Sequence, residues 1–550
     1  MSDIFSNISR NKPRLLLVEN DPAARVSYQA LLMEWGYEPV LAMGVGIALQ
    51  KSAREMAYQK RCSLALIDLR LVDDDDDQDM TGLQLAEELK PGLHPIILSG
   101  HEDQNFLKDM HRNHKDIPFI GKQDRRDEVQ KIIDQEAAKV SAAKRKLEFV
   151  HTETMNEFLE SDFVKEVGEF SDQIVDIFAQ LFPNAMTLRF EKLSVSSNAE
   201  ISSAIRPNSI VLKVYEDNLE PCIVKLARVG KIQQEVKKYY QFISRKLTGN
   251  FNAQLIQQAI LWDIGGAAYS FISGQGTQTF THFYKEKSIG DIEEVLRSFF
   301  CDTWMKYYAN FQQKKAENEN SSLFDLYSQI WGQDWYEKRV KELSRKNLDR
   351  TLNILSTYRL SHPIEWLKSK VAETLLDSSK VAHLKTAVTH GDLHGDNLLV
   401  DEKKNVWVID FERCGDGHAL QDFIELEADI LNRLIGSITN PPEYFRMCMI
   451  LFKQNKLKEL DEAETISNDK NIEKALKTIS VLRKLATHCT GIIDIREYLF
   501  GLFFNMIFRA ALIYRESPIK SELPLLLAGF LCHRFDHWNE PWPPANWKFS

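Results

Sequence analysis

From Arg14 onwards the chain alternates short apolar runs with segments of mixed polarity: LLLV, AARVSYQALLMEWG, LALIDL, GLQLAEELK and PIILSG. Apolar runs of four to six residues bounded by turn signals suit strands buried on both faces, so this rhythm predicts a parallel, doubly wound α/β sheet covered by helices. In such sheets the reactive crevice lies at the carboxyl ends of the strands. Acidic residues stand at those ends, Glu19 after LLLV and Asp68 closing LALID.

The rhythm stops after PFIGK, which ends at Lys122. The next stretch, DRRDEVQKIIDQEAAKVSAAKRKLEFVH, contains neither Gly nor Pro and predicts one long helix. Val129, Ile133, Val140, Ala143, Leu147 and Val150 line one seam, which Glu136 interrupts. Two arrangements fit equally: a coiled-coil linker that pairs two chains into a homodimer, or an amphipathic helix packed on its own chain. Between Leu188 and Ser273 the runs SIVLKVY, PCIVKLA and AAYSFISG flank a helical run from Lys231 to Arg245 and predict a small sheet with one helix. From Phe280 onwards the pattern is helical, apart from LLV and VWVIDF around Asp410. The expected division is an α/β domain over 1–124, a helical linker over 125–170, a small β-rich lobe over 171–274 and a mainly helical lobe over 275–550.

Composition narrows the function classes. At 550 residues the chain exceeds one hydrophobic core, and 44% hydrophobic residues supply material for several. A net charge of -10 opposes a nucleic-acid-binding surface, which needs an excess of Lys and Arg. The seven cysteines are scattered without a CxxC pair, so neither a zinc site nor a disulfide framework is expected, and a reducing cytoplasm fits them. The N-terminal MSDIFSNISRNKPR lacks the apolar region of a signal peptide or anchor, and the apolar stretch from Tyr498 to Tyr514 is broken by Asn505 and Arg509. A cytoplasmic protein without a membrane segment is therefore expected. The run Asp73 to Asp77 reads as a solvated acidic surface.

The segment THGDLHGDNLLV sets His390, Asp392 and Asn397 in an HxDxxxxN arrangement, and the apolar VWVID after it ends in Asp410. Phosphoryl transfer needs a carboxylate to orient the attacking hydroxyl and accept its proton, which suits Asp392. It also needs oxygen ligands for magnesium, which suits Asn397 and Asp410. Upstream, Lys225 lies in the strand-like PCIVKLA and Glu235 on the helical IQQEVKKYYQFI, where an ion pair would aim the ammonium group at nucleotide phosphates.

Lys225, Glu235, Asp392, Asn397 and Asp410, in this order, resemble the aminoglycoside phosphotransferase and choline kinase superfamily, related in fold to protein kinases. The resemblance runs from about Phe190 to at least Ala428. It implies a two-lobed α+β domain using ATP and Mg2+, with Asp392 as catalytic base, Asn397 and Asp410 as metal ligands and Asp422 as a supporting aspartate. It also implies a hinge between the lobes at Phe271 to Gly274. The loop expected over the phosphates reads SVSSNAEISSAI, without the usual glycine. His390 is expected to stabilise the loop. The aromatic residues Trp304, Tyr307, Tyr308, Trp331, Trp335 and Tyr336 are expected to pack helices and not to form a cation box.

Residues 12–124 are similar to response-regulator receiver domains. The resemblance makes Asp68 the phosphoacceptor, Glu19 and Asp68 magnesium ligands with Asn20 in place of a second acid, Ser99 the switch hydroxyl, Phe119 the switch aromatic and Lys122 the charge-compensating lysine. It implies a sensor histidine kinase or small phosphodonor as partner. Together the two resemblances give a receiver-controlled phosphotransferase with an unknown hydroxyl-bearing acceptor. The alternative is a weakly active or inactive kinase-like adaptor that relays a signal by binding.

Overall fold

A computed structural model of the chain describes residues 12–544 apart from positions 74, 75, 77, 91, 101–113, 115, 146, 151–161, 168–171, 192–204, 207, 208, 218, 245, 248–252, 271–276, 310, 311, 314–321, 346–352, 354, 371–383, 437–440, 459, 461 and 514–517. The chain divides into two units, Met1–Val236 with Ala253–Ile272, and Lys237–Asn252 with Ser273–Ser550.

The first unit begins with the expected β/α alternation: β1 (Arg14–Val18), α1 (Pro22–Glu34), β2 (Glu38–Leu41), α2 (Gly46–Lys60), β3 (Leu64–Asp68), α3 (Thr81–Leu89), β4 (His94–Ser99) and β5 (Phe119–Gly121). The strands form one parallel sheet in the order β2-β1-β3-β4-β5. Leu15 to Val18 and Leu64 to Asp68 are buried on both faces, which is why these segments read as continuous apolar runs. Helix α1 starts where Asp21 accepts a hydrogen bond from the Ala23 amide and Pro22 occupies the first turn.

Helix α4 (Arg126–Val140) takes the second of the two arrangements its pattern permits. Val129, Ile133, Ala137 and Val140 pack with Leu15, Leu17, Leu64, Leu66, Ile96, Leu98 and Ile120 of the sheet. Val129, Ile133 and Val140 of the seam are thus committed to the chain's own core, while Val150 is exposed. Glu136, which interrupts it, lies beside His94 Nε2 (2.8 Å) and accepts from Lys139 Nζ (2.7 Å). The helix is shorter than expected: it ends at Ser141, and Glu148–Val150 forms a strand, β6. Phe149 there packs on Phe178 and Phe190 (ring centroids 6.2 and 5.8 Å), burial that a continued helix would forgo.

A second sheet of the same unit contains β6, β7 (Thr187–Glu191), β8 (Ile205–Arg206), β9 (Ser209–Glu216), β10 (Cys222–Arg228), β11 (Leu255–Leu261) and β12 (Ile264–Ser270), in the order β11-β12-β10-β9-β7-β6 with β8 beside β9. Helix α5 (Asp172–Leu181) contributes Ile174, Ile177 and Phe178 to its core. Helix α6 (Val229–Lys238) follows β10.

The second unit is mainly helical. Its strands form two small sheets: β13 (Gln278–Thr279) with β16 (Leu398–Val400) and β17 (Val406–Val408), and β14 (Gln312–Gln313) with β15 (Lys385–Thr389) and β18 (Gly415–His418). Helices α7 (Leu323–Trp331) and α8 (Trp335–Ser344) carry several of the aromatic residues that sequence assigns to packing. Trp331 meets Trp335 and Phe508 (5.0 and 4.7 Å between centroids), Trp335 meets Phe504, and Trp304 and Tyr308 are fully buried. Helices α9 (Gln421–Asp429), α10 (Lys470–Thr490) and α11 (Ile495–Ile513) build the rest of this core. Among the described residues no helix is long and apolar enough to cross a membrane.

Because Ile133 is fully buried in the sheet core, Ile133→Ala is expected to destabilise that region by about 2–5 kcal/mol. Hydrogen exchange of β1 and β3 measures the effect, and protection equal to wild type would mean that α4 is dispensable to the sheet.

Candidate active site

Three polar clusters hold the residues singled out by sequence. The first lies at the carboxyl end of the parallel sheet. Lys122 Nζ stands 2.9 Å from Glu19 Oε2 and 2.9 Å from Asp68 Oδ2, and both carboxylates are nearly or fully buried. Burial, then the charge of Glu19, pushes the Asp68 carboxyl up to about 7 against the pull of Lys122. Two buried carboxylates sharing one ammonium leave the pocket short of positive charge. Its donors are oxygens, which suits a hard divalent cation that retains several waters. Asn20, in place of a second acid, accepts from the Asp21 amide. Ser99 is buried at the end of β4, where its carbonyl accepts from the Lys122 amide (2.8 Å). Phe119 is buried in the core with Ile97 and Ile117.

A residue the sequence reading passed over shapes this pocket. A Cβ on Gly82 would stand 1.8 Å from the Asp68 carbonyl oxygen, so only glycine lets α3 begin against the end of β3. The acidic loop between them is closed by Asp79, whose carboxylate accepts from the amides of Val72 (2.9 Å), Asp73 (3.0 Å) and Thr81 (2.9 Å).

The second cluster spans β10, β12 and α6. Lys225 sits mid-strand on β10, opposite Ala267 on β12, and its Nζ lies 2.6 Å from Glu235 Oε2 on α6. Both side chains are buried. Tyr269 on β12 donates its hydroxyl to Glu235 Oε1 (2.7 Å), an orienting contact the motif does not announce. The structure thus brings together the lysine and glutamate placed ten residues apart in sequence.

The third cluster is the HGDLHGDN loop between β15 and β16. Gly391 has φ +78°, and a Cβ there would meet the Arg413 carbonyl oxygen at 2.5 Å, so glycine is required for the turn before Asp392. Asn397 Nδ2 donates to the Asp392 carbonyl (2.8 Å), which directs its amide oxygen the other way. Leu398 pairs with Val408 in the β16–β17 hairpin, and the Ile409 amide donates to the Asn397 carbonyl (3.1 Å). Asn397 and Asp410 therefore flank the same end of that hairpin, Asp410 in the left-handed region at φ 69°. Their oxygens fit a magnesium ion. Arg413 Nη1 lies 3.8 Å from Asp392 Oδ1, a partly exposed and weak pairing. His390 is fully buried, and its Nε2 donates to the Ile409 carbonyl (2.9 Å), joining the loop to the hairpin.

Helix α9 fixes the loop's backbone. Asp422 accepts from the amides of His390 and Gly391 (2.9 Å each) and from the Tyr308 hydroxyl (2.7 Å). Glu425 accepts from the Leu393 amide (2.7 Å), and Asp429 accepts from the Gly395 amide (2.9 Å). Positions 422, 425 and 429 share one helix face. Glu427, on the opposite side, pairs with Arg483 Nη2 (2.6 Å) and accepts from Tyr498 (2.7 Å). Burial opposes the charge on Asp429, but Arg433 (2.7 Å), with Arg509 behind it, holds its carboxyl well below the usual range. Asp396, inside the loop, is likewise held down against burial by Arg433 (2.9 Å) and accepts from Thr281 (2.6 Å).

Among the described residues no group of three or more His, Cys, Asp or Glu is placed to hold a metal, so each candidate metal site rests on its two named oxygen donors. The hinge at Phe271 to Gly274 lies outside the described residues, as does the SVSSNAEISSAI loop apart from its final isoleucine. Glu425 and Asp429 were missed in the sequence. They lie on QDFIELEAD, a helix that carries four acids yet buries every residue, and that burial shows only in the fold.

With this geometry in view, the chain can be compared with known proteins. Residues 332–503 match the model of a family described as ternary complex associated domain 9. No curated protein matches the chain. Among solved structures, the signal receiver domain of a LuxO repressor protein from Vibrio parahaemolyticus is 16% identical, with 28% of this chain and 99% of that one covered at a TM-score of 0.19. An aminoglycoside phosphotransferase from Ralstonia eutropha is 13% identical over 59% and 89% of the two chains (TM-score 0.35). An ethanolamine kinase from Plasmodium vivax is 13% identical over 69% and 93% (TM-score 0.34). The N-terminal sheet has the strand order of receiver-like folds. The β10 lysine, the α6 glutamate and the loop-hairpin with Asp392, Asn397 and Asp410 are the elements of a kinase-like, phosphotransferase-type fold. At such identities the chemistry has to be read from the side chains.

Burial, then the charges of Asp422 and Asp392, pushes Glu425 up to about 8 from an ordinary 4.5. Between those values the folded chain keeps a proton that the unfolded chain has released, so this group makes stability fall as pH rises through that window. Glu425→Gln keeps an acceptor for the Leu393 amide and is expected to flatten the slope. Denaturant midpoints at pH about 5 and about 8 measure it; an identical slope in the variant would contradict the assignment.

Proposed function

We propose that this chain is an ATP-dependent phosphotransferase acting on a hydroxyl group, joined to a phosphoaccepting receiver. The observation that carries the reading is the attachment of the HGDLHGDN loop to α9. Three buried carboxylates hold four backbone amides of the loop, so the segment that carries Asp392 and Asn397 is preorganised. In this reading Asp392 orients the acceptor hydroxyl and takes its proton as the oxygen attacks the γ-phosphorus, and the bond from that phosphorus to the bridging oxygen breaks to release ADP. Lys225, aimed by Glu235, neutralises nucleotide phosphate charge. Asn397 and Asp410 would hold Mg2+, which when bound offsets charge on the transferring phosphoryl group. His390 and Tyr308 hold the loop and touch no substrate.

At the receiver pocket, the Asp68 carboxylate attacks the phosphorus of a sensor histidine kinase's phosphohistidine or of a small phosphodonor, breaking its P–N or P–O bond and releasing the imidazole or the donor's oxyanion. Lys122 offsets the incoming charge, and Glu19 and Asp68 would hold the cation. The adaptor reading is favoured by one observation: the family matched over 332–503 is described by association in a ternary complex.

Incubation of the purified chain with labelled ATP, Mg2+ and a panel of amino sugars, amino alcohols and proteins separates the two readings. Turnover is expected, and Asp392→Ala is expected to lower it by about 10²–10⁴-fold. Turnover that survives in the variant would remove Asp392 from the mechanism, and none with any acceptor would favour the adaptor. For the receiver, Asp68→Ala is expected to abolish labelling by radiolabelled acetyl phosphate, and unchanged labelling would exclude Asp68 as the acceptor.

A further inference from the structure

Within the first unit, the tip of the β11–β12 hairpin reaches from the second sheet to the receiver-like domain. Trp262 adopts a left-handed backbone (φ 53°), and its Nε1 donates to the Cys62 carbonyl (2.8 Å). The indole meets Tyr58 edge-on, with centroids 5.7 Å apart. It fills the space that Gly92 leaves, where a Cβ would stand 2.6 Å from the ring. Trp262 packs against the apolar cores of both sheets. Beside it, Asp263 pairs with Arg61, whose guanidinium lies 3.7 Å from the Tyr58 ring centroid.

Asp263 faces two ways. Its carboxylate meets the receiver, while its carbonyl accepts from the amide of Val229 (2.9 Å), the first residue of α6. The opening amides of a helix have no partner inside it, so the group that accepts from them fixes where the helix starts. Glu235 lies six residues further along α6, roughly 9 Å at the helical rise. From the same tip, β12 runs past Ala267, opposite Lys225, to Tyr269, which donates to Glu235. Both elements that place the Lys225–Glu235 pair therefore depart from the residue that Arg61 holds.

We propose that Trp262 and Asp263 are positioning residues for the Lys225–Glu235 pair, and that the receiver, by gripping the hairpin tip through Arg61, Cys62 and Gly92, sets the aim of that lysine. Cys62 and Gly92 precede β3 and β4, so the grip is at the end of the receiver sheet opposite Asp68 and one strand length from it. Only the consequence for nucleotide affinity rests on the phosphotransferase reading.

Hydrogen exchange on the full chain tests the positioning itself. Arg61→Ala, Gly92→Ala and Asp263→Asn are each expected to speed exchange of the amides of 229–236 by about fivefold or more, while β1 and β3 keep wild-type protection. Asp263→Asn removes only a charge from a partly exposed side chain, so it reports even where another variant folds poorly. The charge swap, Arg61→Asp with Asp263→Arg, is expected to restore protection, a rescue that simple loosening of the fold does not give. Affinity for ATP with Mg2+, measured by calorimetry, is expected to fall by a similar factor in the single variants and recover in the swap. Wild-type exchange at 229–236 in Arg61→Ala and Asp263→Asn would overturn the proposal. Exchange that responds in a chain that binds no ATP in any form would leave the positioning role standing and sink the phosphotransferase reading.

Discussion

The second unit depends on one constraint: backbone amides of a tight loop, shut away from water, have to find acceptors. The HGDLHGDN turn satisfies only some of its own N–H groups, those of Asp396 and Asn397 on His394, and a buried unpaired amide costs about 1–3 kcal/mol. Helix α9 meets the need with Asp422, Glu425 and Asp429, spaced so that each turn of the helix faces the next stretch of loop. The converse holds as well. Carboxylates this deep would be prohibitive without donors, and the loop supplies them. Loop and helix thus satisfy each other's buried polar groups.

The same logic extends outward from α9. Arg433 and Arg509 balance Asp429, and Arg483 balances Glu427 on the opposite side of the helix. Breaking a buried pair by removing one partner costs about 3–5 kcal/mol, because it strands the other charge. The Arg483–Glu427 pair therefore ties α9 to α10. Glu425 has no such arginine. It takes the burial cost as a shifted titration, the cheaper outcome for a group whose role is to accept a hydrogen bond.

Much of this was legible in the sequence because the signals are local. The apolar runs at Leu15 to Val18 and Leu64 to Ile67 announce buried strands, and the order of Lys225, Glu235, Asp392, Asn397 and Asp410 announces a kinase-like fold. What escaped depends on contacts between distant segments. Tyr269 looks like one more apolar strand residue until β12 is set beside β10 and α6. Seen in isolation, the periodicity of α4 does not say whether its partner is another chain or its own sheet; only the closing of that sheet decides. Glu425 and Asp429 read as surface acids, since nothing in a single helix tells that all its faces are covered. Gly82 shows its purpose only once the end of β3 is placed against it.

The ties made by Asp79 also bear on the acidic run from Asp73 to Asp77. Asp79 draws together the chain at Val72, Asp73 and Thr81, and Gly82 seats α3 against Asp68, so both ends of the run are pinned. The entropy of closing a loop grows only with the logarithm of its length, about 0.6 kcal/mol for each doubling. Insertions between these ties are therefore cheap in closure entropy, while the start of α3 beside Asp68 stays set by Gly82.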